Sequence, residues 1–242
     1  MSMSPLLIAK TGQTLPDCAV RCGDFEDWFV RGLGLAAAEV QVVHLPAGER
    51  LPPHRAVSGI VITGSHAMVT DRDPWSEELA GWVAEAVPMG MPVLGVCYGH
   101  QLLAHALGGE VGYHPAGPEV GTVPVRLTPA ARTDPLLADL PEAFYVHATH
   151  AQSVLRLPRQ AVHLAGNDYE PHHAFRVGER AWGVQFHPEF DTHIMYTYVQ
   201  VRAARCERPE RDWDAIRATV RDTPESASLL RRFAAMVRNA DW

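Results

Sequence analysis

Cysteine is scarce in this chain, four residues in 242, too few for a disulfide framework at this length. Basic residues are in deficit, with 21 Lys plus Arg against 28 Asp plus Glu and a formal charge of −7. That excess of acid argues against nucleic acid or an anionic membrane surface as a partner. Long apolar runs are missing too. Between Met1 and Lys10 only Leu6 to Ala9 is continuously apolar, shorter than the apolar region of a secretory signal. One stretch, Ala86 to Gly109, lacks Asp, Glu, Lys and Arg throughout. Pro88, Pro92, five glycines, His100, Gln101 and His105 interrupt it, which does not suit a bilayer span. The 19 Gly and 19 Pro are scattered, so neither a collagen-like nor a low-complexity class fits. The expectation is a cytoplasmic, compact protein with no nucleic acid and no membrane among its partners.

What is present alternates between two periods. Leu6 to Ala9, Val40 to Leu45, Val57 to Thr63 and Pro92 to Val96 read as buried strands. Between them, Asp24 caps a helix with Phe25, Trp28, Phe29 and Leu33 on one face and an exit at Gly34. A second helix runs from Pro74 to Val87 with Trp75, Leu79, Trp82, Val83 and Ala86 on one side, and a third from Tyr98 to Leu107. This predicts an α/β fold, a mostly parallel central sheet with helices on both faces. From Glu110 onward the segments Val111 to His114, Thr122 to Leu127, Phe144 to His147, Val162 to Ala165, His172 to Val177 and Ala181 to Phe186 read as shorter strands. They predict a smaller antiparallel extension, with Gly178-Glu179-Arg180 as a hairpin loop. Helices from about Thr192 to Cys206 and from Thr223-Pro224-Glu225 onward follow, the last with Leu229, Leu230, Phe233, Met236 and Val237 on a core-packing face. No internal repeat or long linker interrupts the chain. Residues 1–242 are read as one domain with a C-terminal helical extension from about 191 to 242.

The most informative segment is Gly95-Val96-Cys97-Tyr98-Gly99-His100-Gln101. A strand ends, a helix begins, and a nucleophile-type residue sits at the junction with glycine two positions away on each side. This is the G-x-nucleophile-x-G elbow with Cys in place of Ser. The turn is so sharp that side chains at plus and minus two would collide. A sulfur there lies at the positive end of a helix, which favours thiolate. The N–H of Tyr98 points to where an oxyanion would form. A buried structural thiol is the bland alternative, and the glycine pair weighs against it.

A thiol needs a base. The strand Ala181 to Phe186 runs into His187-Pro188-Glu189, where Pro188 stops the strand and fixes the turn. His187 can take the thiol proton while Glu189 orients its other nitrogen, the triad logic in Cys form. Alone, a His-Pro-Glu tripeptide is an ordinary solvated turn; beside the elbow it completes a constellation.

Both segments resemble the class I, triad-type, glutamine amidotransferases. Gly95 to Gln101 is similar to the family's nucleophile motif and Gly183-Val184-Gln185-Phe186-His187-Pro188-Glu189 to its His/Glu motif. The resemblance runs from about Val57 to Phe190 and is closest to the glutaminase portion of GMP synthases. It implies a flavodoxin-like layering, with Cys97 as nucleophile, His187 as base and Glu189 as orienting acid. It also implies a second oxyanion donor at Gly64, in the turn Thr63-Gly64-Ser65, and substrate contacts at Gln101 and in the loop His150-Ala151-Gln152-Ser153. Two departures stand out: Thr63 occupies the first of two positions that usually hold adjacent glycines, and His150-Ala151 stands where His-Gly is common.

The resemblance implies a glutaminase whose ammonia passes to an acceptor on a separate ATP-using synthetase subunit. The chain carries no Ser-Gly-Gly-x-Asp-Ser pyrophosphatase loop and no G-x-x-x-x-G-K-[ST] loop. The alternatives are a free-standing γ-glutamyl peptide or amine hydrolase and a catalytically silent binding or regulatory protein on the same fold. Gly64 lacks a Cβ, and on the amidotransferase reading its peptide is expected to flip and idle the site until a partner binds. No cofactor is implied. A metal site is not expected either. His172 and His173, adjacent on a strand, point to opposite faces, and His100 and His105 are five apart rather than four. Cys18 and Cys22 form no C-x-x-C pattern.

Overall fold

The computed structural model describes residues 4–205, 208 and 210–239. The N-terminal half builds β1 (Leu6–Lys10), α1 (Pro16–Cys22), α2 (Phe25–Leu33), β2 (Val40–His44), β3 (Ile60–Ile62), α3 (Pro74–Ala86), β4 (Val93–Val96) and α4 (Tyr98–Ala106). Seven strands follow: β5 (Glu110–Tyr113), β6 (Glu119–Leu127), β7 (Ala143–His150), β8 (Gln152–Arg156), β9 (Ala161–Gly166), β10 (Ala174–Val177) and β11 (Ala181–Val184). Three helices close the described chain, α5 (Thr192–Ala204), α6 (Trp213–Thr219) and α7 (Pro224–Arg238).

Nine strands form one sheet in the order β2-β1-β3-β4-β11-β10-β9-β6-β7. The first five run parallel and the others antiparallel, so β11 returns from the extension to lie beside β4. β5 and β8 make a separate antiparallel ribbon. The parallel strands are apolar on both sides because both are covered. Leu6 and Ile8 face a core shared with Phe29 and Leu33 of α2 and Leu229, Leu230 and Phe233 of α7. Leu7 and Ala9, one residue out of phase, face Leu79 and Val83 of α3 and Leu102 and Leu103 of α4. A third cluster joins α1, α2 and α5 through Cys18, Phe25, Trp28, Ile194 and Tyr198. Asp24 starts α2 as expected, in a capping box with Asp27, and Gly34 ends it in the left-handed conformation.

The α/β class, the parallel half and the antiparallel extension agree with the sequence reading, as does the β10–β11 hairpin around Gly178. Three elements had no counterpart there. Helix α1 buries only Cys18 and α6 buries no residue fully, so neither shows an apolar face. Strand β8 occupies part of the segment expected to be a loop. Strand β3 is limited to Ile60–Ile62 and β10 begins at Ala174. His172 and His173 therefore lie in the turn before β10 rather than on a strand. Cys206, the expected end of α5, lies outside the described residues.

Candidate active site

The site assembles where three neighbouring parallel strands end. Ile62 of β3 pairs with Gly95 of β4, which pairs with Gly183 of β11, and Val96 pairs with Val184. The residues just beyond these pairs, Thr63-Gly64, Cys97 and Gln185 to His187, thus emerge together at the carboxyl edge of the sheet, where α/β folds place their ligands. The ladder runs up to the nucleophile candidate itself: the N–H of Cys97 donates to the Val184 carbonyl at 2.9 Å.

Cys97 is the N-cap of α4 and has φ 52° and ψ −99°, a conformation that non-glycine residues rarely adopt. The flanking glycines make the turn sterically feasible. A Cβ on Gly95 would sit 2.3 Å from the Gly99 carbonyl oxygen, and one on Gly99 would sit 2.4 Å from that of Ile62. Cys97 is 6% exposed, and its Sγ lies 4.0 Å from the Thr149 carbonyl oxygen. Tyr98 is the first residue of α4, where an N–H has no partner within its own helix. Its hydroxyl shares a 2.5 Å hydrogen bond with Ser76 Oγ, and burial pushes its pKa up to about 12.

His187 is held from two sides. Its N–H donates to the His147 carbonyl at 2.8 Å, and its ring stacks on Phe190 with centroids 4.1 Å apart. Nδ1 lies 2.7 Å from Glu189 Oε1 in a buried pair, so Nδ1 carries the proton and Nε2 is left for Cys97. Burial acts to lower the imidazole pKa, but the charges of Glu189 and then Cys97 outweigh it and push it up to about 10. The neighbouring His147 goes the other way, to about 4, through burial and the positive charge of His187.

The expected substrate-binding residues Gln101, His150, Ala151 and Gln152 line one cleft together with Cys97, Tyr98 and His187. They do so in an arrangement the sequence reading missed. His150 ends β7 and Gln152 begins β8, so the expected loop is a kink at Ala151 between two strands. Gln101 Nε2 spends its hydrogens on the Gln152 carbonyl at 2.7 Å and on Gln185 Oε1 at 3.0 Å. Only its carbonyl oxygen remains for a ligand. Both ring nitrogens of His150 are engaged, Nδ1 with the Gln152 carbonyl at 3.0 Å and Nε2 with Glu119 Oε2 at 3.1 Å. The same oxygen lies 3.2 Å from His173 Nε2, and Glu119 Oε1 accepts from Asn167 Nδ2 at 2.9 Å. Burial raises the Glu119 pKa, but hydrogen bonds and charge from the two histidines hold it well below the usual carboxylate range. His173 is therefore part of a buried brace behind the cleft wall, while His172 caps the Val154 carbonyl at 2.6 Å.

Gly64 packs against His187: a Cβ there would lie 3.0 Å from His187 Cε1. The cleft is completed by residues the sequence reading did not select, among them Phe25, Ser65, His66, Met68, Thr149, Tyr198 and Arg202. Tyr198 and Arg202 are one turn apart on α5, which a helical repeat could have signalled; the others have no local signature. Arg202 adds a guanidinium to the lining beside the His187 imidazole.

The chain has known relatives in sequence and in fold. The sequence profile of the family described as Glutamine amidotransferase class-I matches residues 19–199, and the chain belongs to that family. It is 39% identical over 161 residues to the GMP synthase [glutamine-hydrolyzing] of Aeropyrum pernix, covering 66% of this chain and 29% of that protein. To the enzyme of the same name from Porphyromonas gingivalis it is 33% identical over 179 residues, covering 70% of this chain and 33% of that protein. It thus spans about a third of the length of these relatives. Gamma-glutamyl peptidase 5 of Arabidopsis thaliana is 29% identical over 165 residues, which cover 67% of this chain and 65% of the peptidase. The fold matches the crystal structure of a glutamine amidotransferase from Thermotoga maritima, with a TM-score of 0.78 and 21% identity over 99% of this chain and all of that one. No helix among the described residues is long and apolar enough to cross a membrane.

Proposed function

We propose that this class I glutamine amidotransferase is a glutaminase that cleaves the side-chain amide of glutamine through a thioester on Cys97. The observation that carries the reading is the convergence of the strained Cys97 elbow with the His187–Glu189 pair on adjacent strand ends. His187 takes the thiol proton and the thiolate attacks the amide carbon. The N–H groups of Tyr98 and of the Gly64 turn hold the resulting oxyanion. The tetrahedral intermediate collapses as His187 returns the proton to the leaving nitrogen, releasing ammonia and leaving the acyl thioester. Water then attacks the thioester, its proton passes through His187 to the departing sulfur, and glutamate leaves. The cleft beside Cys97 and His187 takes the γ-glutamyl arm of the substrate. Gln101, His150, Ala151 and Gln152 form the wall against which that arm lies.

In this reading the ammonia serves an acceptor on another chain, an ATP-using synthetase, and residues 1–242 act as one glutaminase domain. A second reading keeps the triad and changes the substrate to a γ-glutamyl peptide or amine. The match to the Arabidopsis peptidase favours it, because similar shares of both chains align there. Steady-state assays of the purified chain on glutamine and on γ-glutamyl dipeptides decide between them. Glutamine turnover that rises on adding a co-purifying synthetase supports the first reading. Fast dipeptide cleavage with negligible glutamine turnover replaces it with the second.

A further inference from the structure

Thr11 follows β1 and Thr63 follows β3. The last backbone rung between these strands is the Thr63 N–H to the Ala9 carbonyl, at 3.1 Å. Beyond it, the pairing continues through side chains. The Thr11 N–H donates to Thr63 Oγ1 at 3.0 Å. Thr11 Oγ1 lies 3.0 Å from the Thr63 carbonyl oxygen and 3.0 Å from that of Gly64, and Thr63 Oγ1 lies 3.0 Å from the Gly64 carbonyl oxygen. Ser65 Oγ donates back to the Thr11 carbonyl at 2.8 Å. Both threonines are fully buried and neither lines the cleft, whereas Ser65 does.

Each hydroxyl has one hydrogen to give. Thr63 Oγ1, accepting from the Thr11 N–H, sends its hydrogen to the Gly64 carbonyl, and Thr11 Oγ1 sends its own to the Thr63 carbonyl. Every donor then has an acceptor, and both carbonyls of the turn point into the end of the sheet. In a trans peptide the C=O and N–H point in opposite directions. The N–H groups of Gly64 and Ser65 are therefore turned away from the threonines, on the side where Ser65 meets the cleft and Gly64 meets His187. Two successive N–H groups facing one way form a concave anion site.

We propose that Thr11 and Thr63 are positioning residues, a hydroxyl latch that holds the Gly64–Ser65 turn with its N–H groups toward the oxyanion whether or not a second protein is bound. The inference rests on the thioester reading above and replaces the sequence expectation of a freely flipping Gly64. Flipping either peptide withdraws one of the two carbonyls to which these buried hydroxyls donate, and leaves the hydroxyls with only the other carbonyl and each other. Thr63 thus has a use in the position where the family often has glycine: its side chain supplies from within the turn the restraint that a glycine cannot.

Thr11→Val and Thr63→Val keep the side-chain shape and delete the hydroxyl. With whichever of glutamine and γ-glutamyl dipeptides the native chain turns over faster, each is expected to lower kcat by about ten- to a thousandfold, the cost range of a misplaced oxyanion donor. KM is expected to stay near native, and Thr63→Ser, which keeps the hydroxyl, to recover most of the rate. Binding of a glutamate γ-aldehyde, whose adduct with Cys97 carries the oxyanion, should weaken in step with kcat. Retention of kcat in both valine variants overturns the proposal, as does a Thr63→Ser enzyme no better than Thr63→Val. Failure of the thioester reading is distinguishable, since the native chain would then turn over neither substrate. In that event a crystal structure of the Thr63→Val variant still decides: a reoriented Gly64–Ser65 peptide supports the latch, and an unmoved one overturns it.

Discussion

Nδ1 of His187 lies 2.7 Å from Oε1 of Glu189, two residues apart in sequence, across a turn whose middle residue is Pro188. The pair is buried and rigid, and it fixes which imidazole nitrogen can face Cys97. In the proposed triad His187 and Glu189 act as a unit, so His187→Ala and Glu189→Gln should each lower kcat on the order of 10²–10⁴-fold, and the double variant should be little worse than His187→Ala. Multiplicative losses in the double variant mean that the two side chains do not share a role.

The pH dependence follows from the same pair. Its folded-state pKa, about 10, lies above the ordinary histidine value of 6.5. The stabilisation is therefore full below about pH 6.5 and is lost as pH rises through 10. The alkaline limb of kcat/KM should appear near pH 10, and Glu189→Gln should move it toward neutrality. A limb that Glu189→Gln leaves in place contradicts the assignment. Melting temperatures of native and Glu189→Gln protein should converge over the same alkaline interval.

The elbow makes a steric prediction. Gly99→Ala places a methyl group 2.4 Å from the Ile62 carbonyl oxygen, inside the sheet end that carries the site. Backbone must move, and overpacking of this kind costs about 1–3 kcal/mol. The variant should melt lower than native and lose activity. Gly81→Ala, inside α3 at a position where a Cβ meets nothing within 4 Å, is the control and should keep full activity and melt no lower than native.

These elements differ in how far the sequence discloses them. The elbow and the His-Pro-Glu turn are legible because their chemistry is local: a steric rule sets the glycines around Cys97, and Pro188 sets the turn. The buried strands and the apolar faces of α2, α3 and α7 are legible through their periods. Helices α1 and α6 are not, since α1 buries only Cys18 and α6 no residue fully. The brace around Glu119 is the clearest case of what stays hidden. It joins His150, Asn167 and His173 across three separate segments, and only the sheet order brings them together. Thr11 and Thr63, 52 residues apart, are hidden for the same reason.

That brace yields a stability prediction. Glu119→Ala leaves two buried histidines without their shared acceptor and should destabilise the fold by about 3–5 kcal/mol. Its pKa is depressed in the folded state, so the carboxylate contributes stability above the ordinary value of 4.5, and that stability is lost only as pH falls through the lower folded value. Denaturant titrations from pH 7 downward measure this: the gap between the native chain and Glu119→Ala should be largely kept at pH 4 and narrow only as pH falls further.

The central claim is that Cys97 forms a covalent γ-glutamyl intermediate. A glutamine-derived diazo-ketone followed by peptide mass spectrometry tests it most directly. Cys18 is a poor competitor, because burial and then the neighbouring Cys22 push its pKa up to about 12. The account predicts a single adduct, on Cys97, abolished in Cys97→Ser and slowed in His187→Ala. Label spread over Cys18, Cys22 and Cys206, or absent from Cys97, would contradict it.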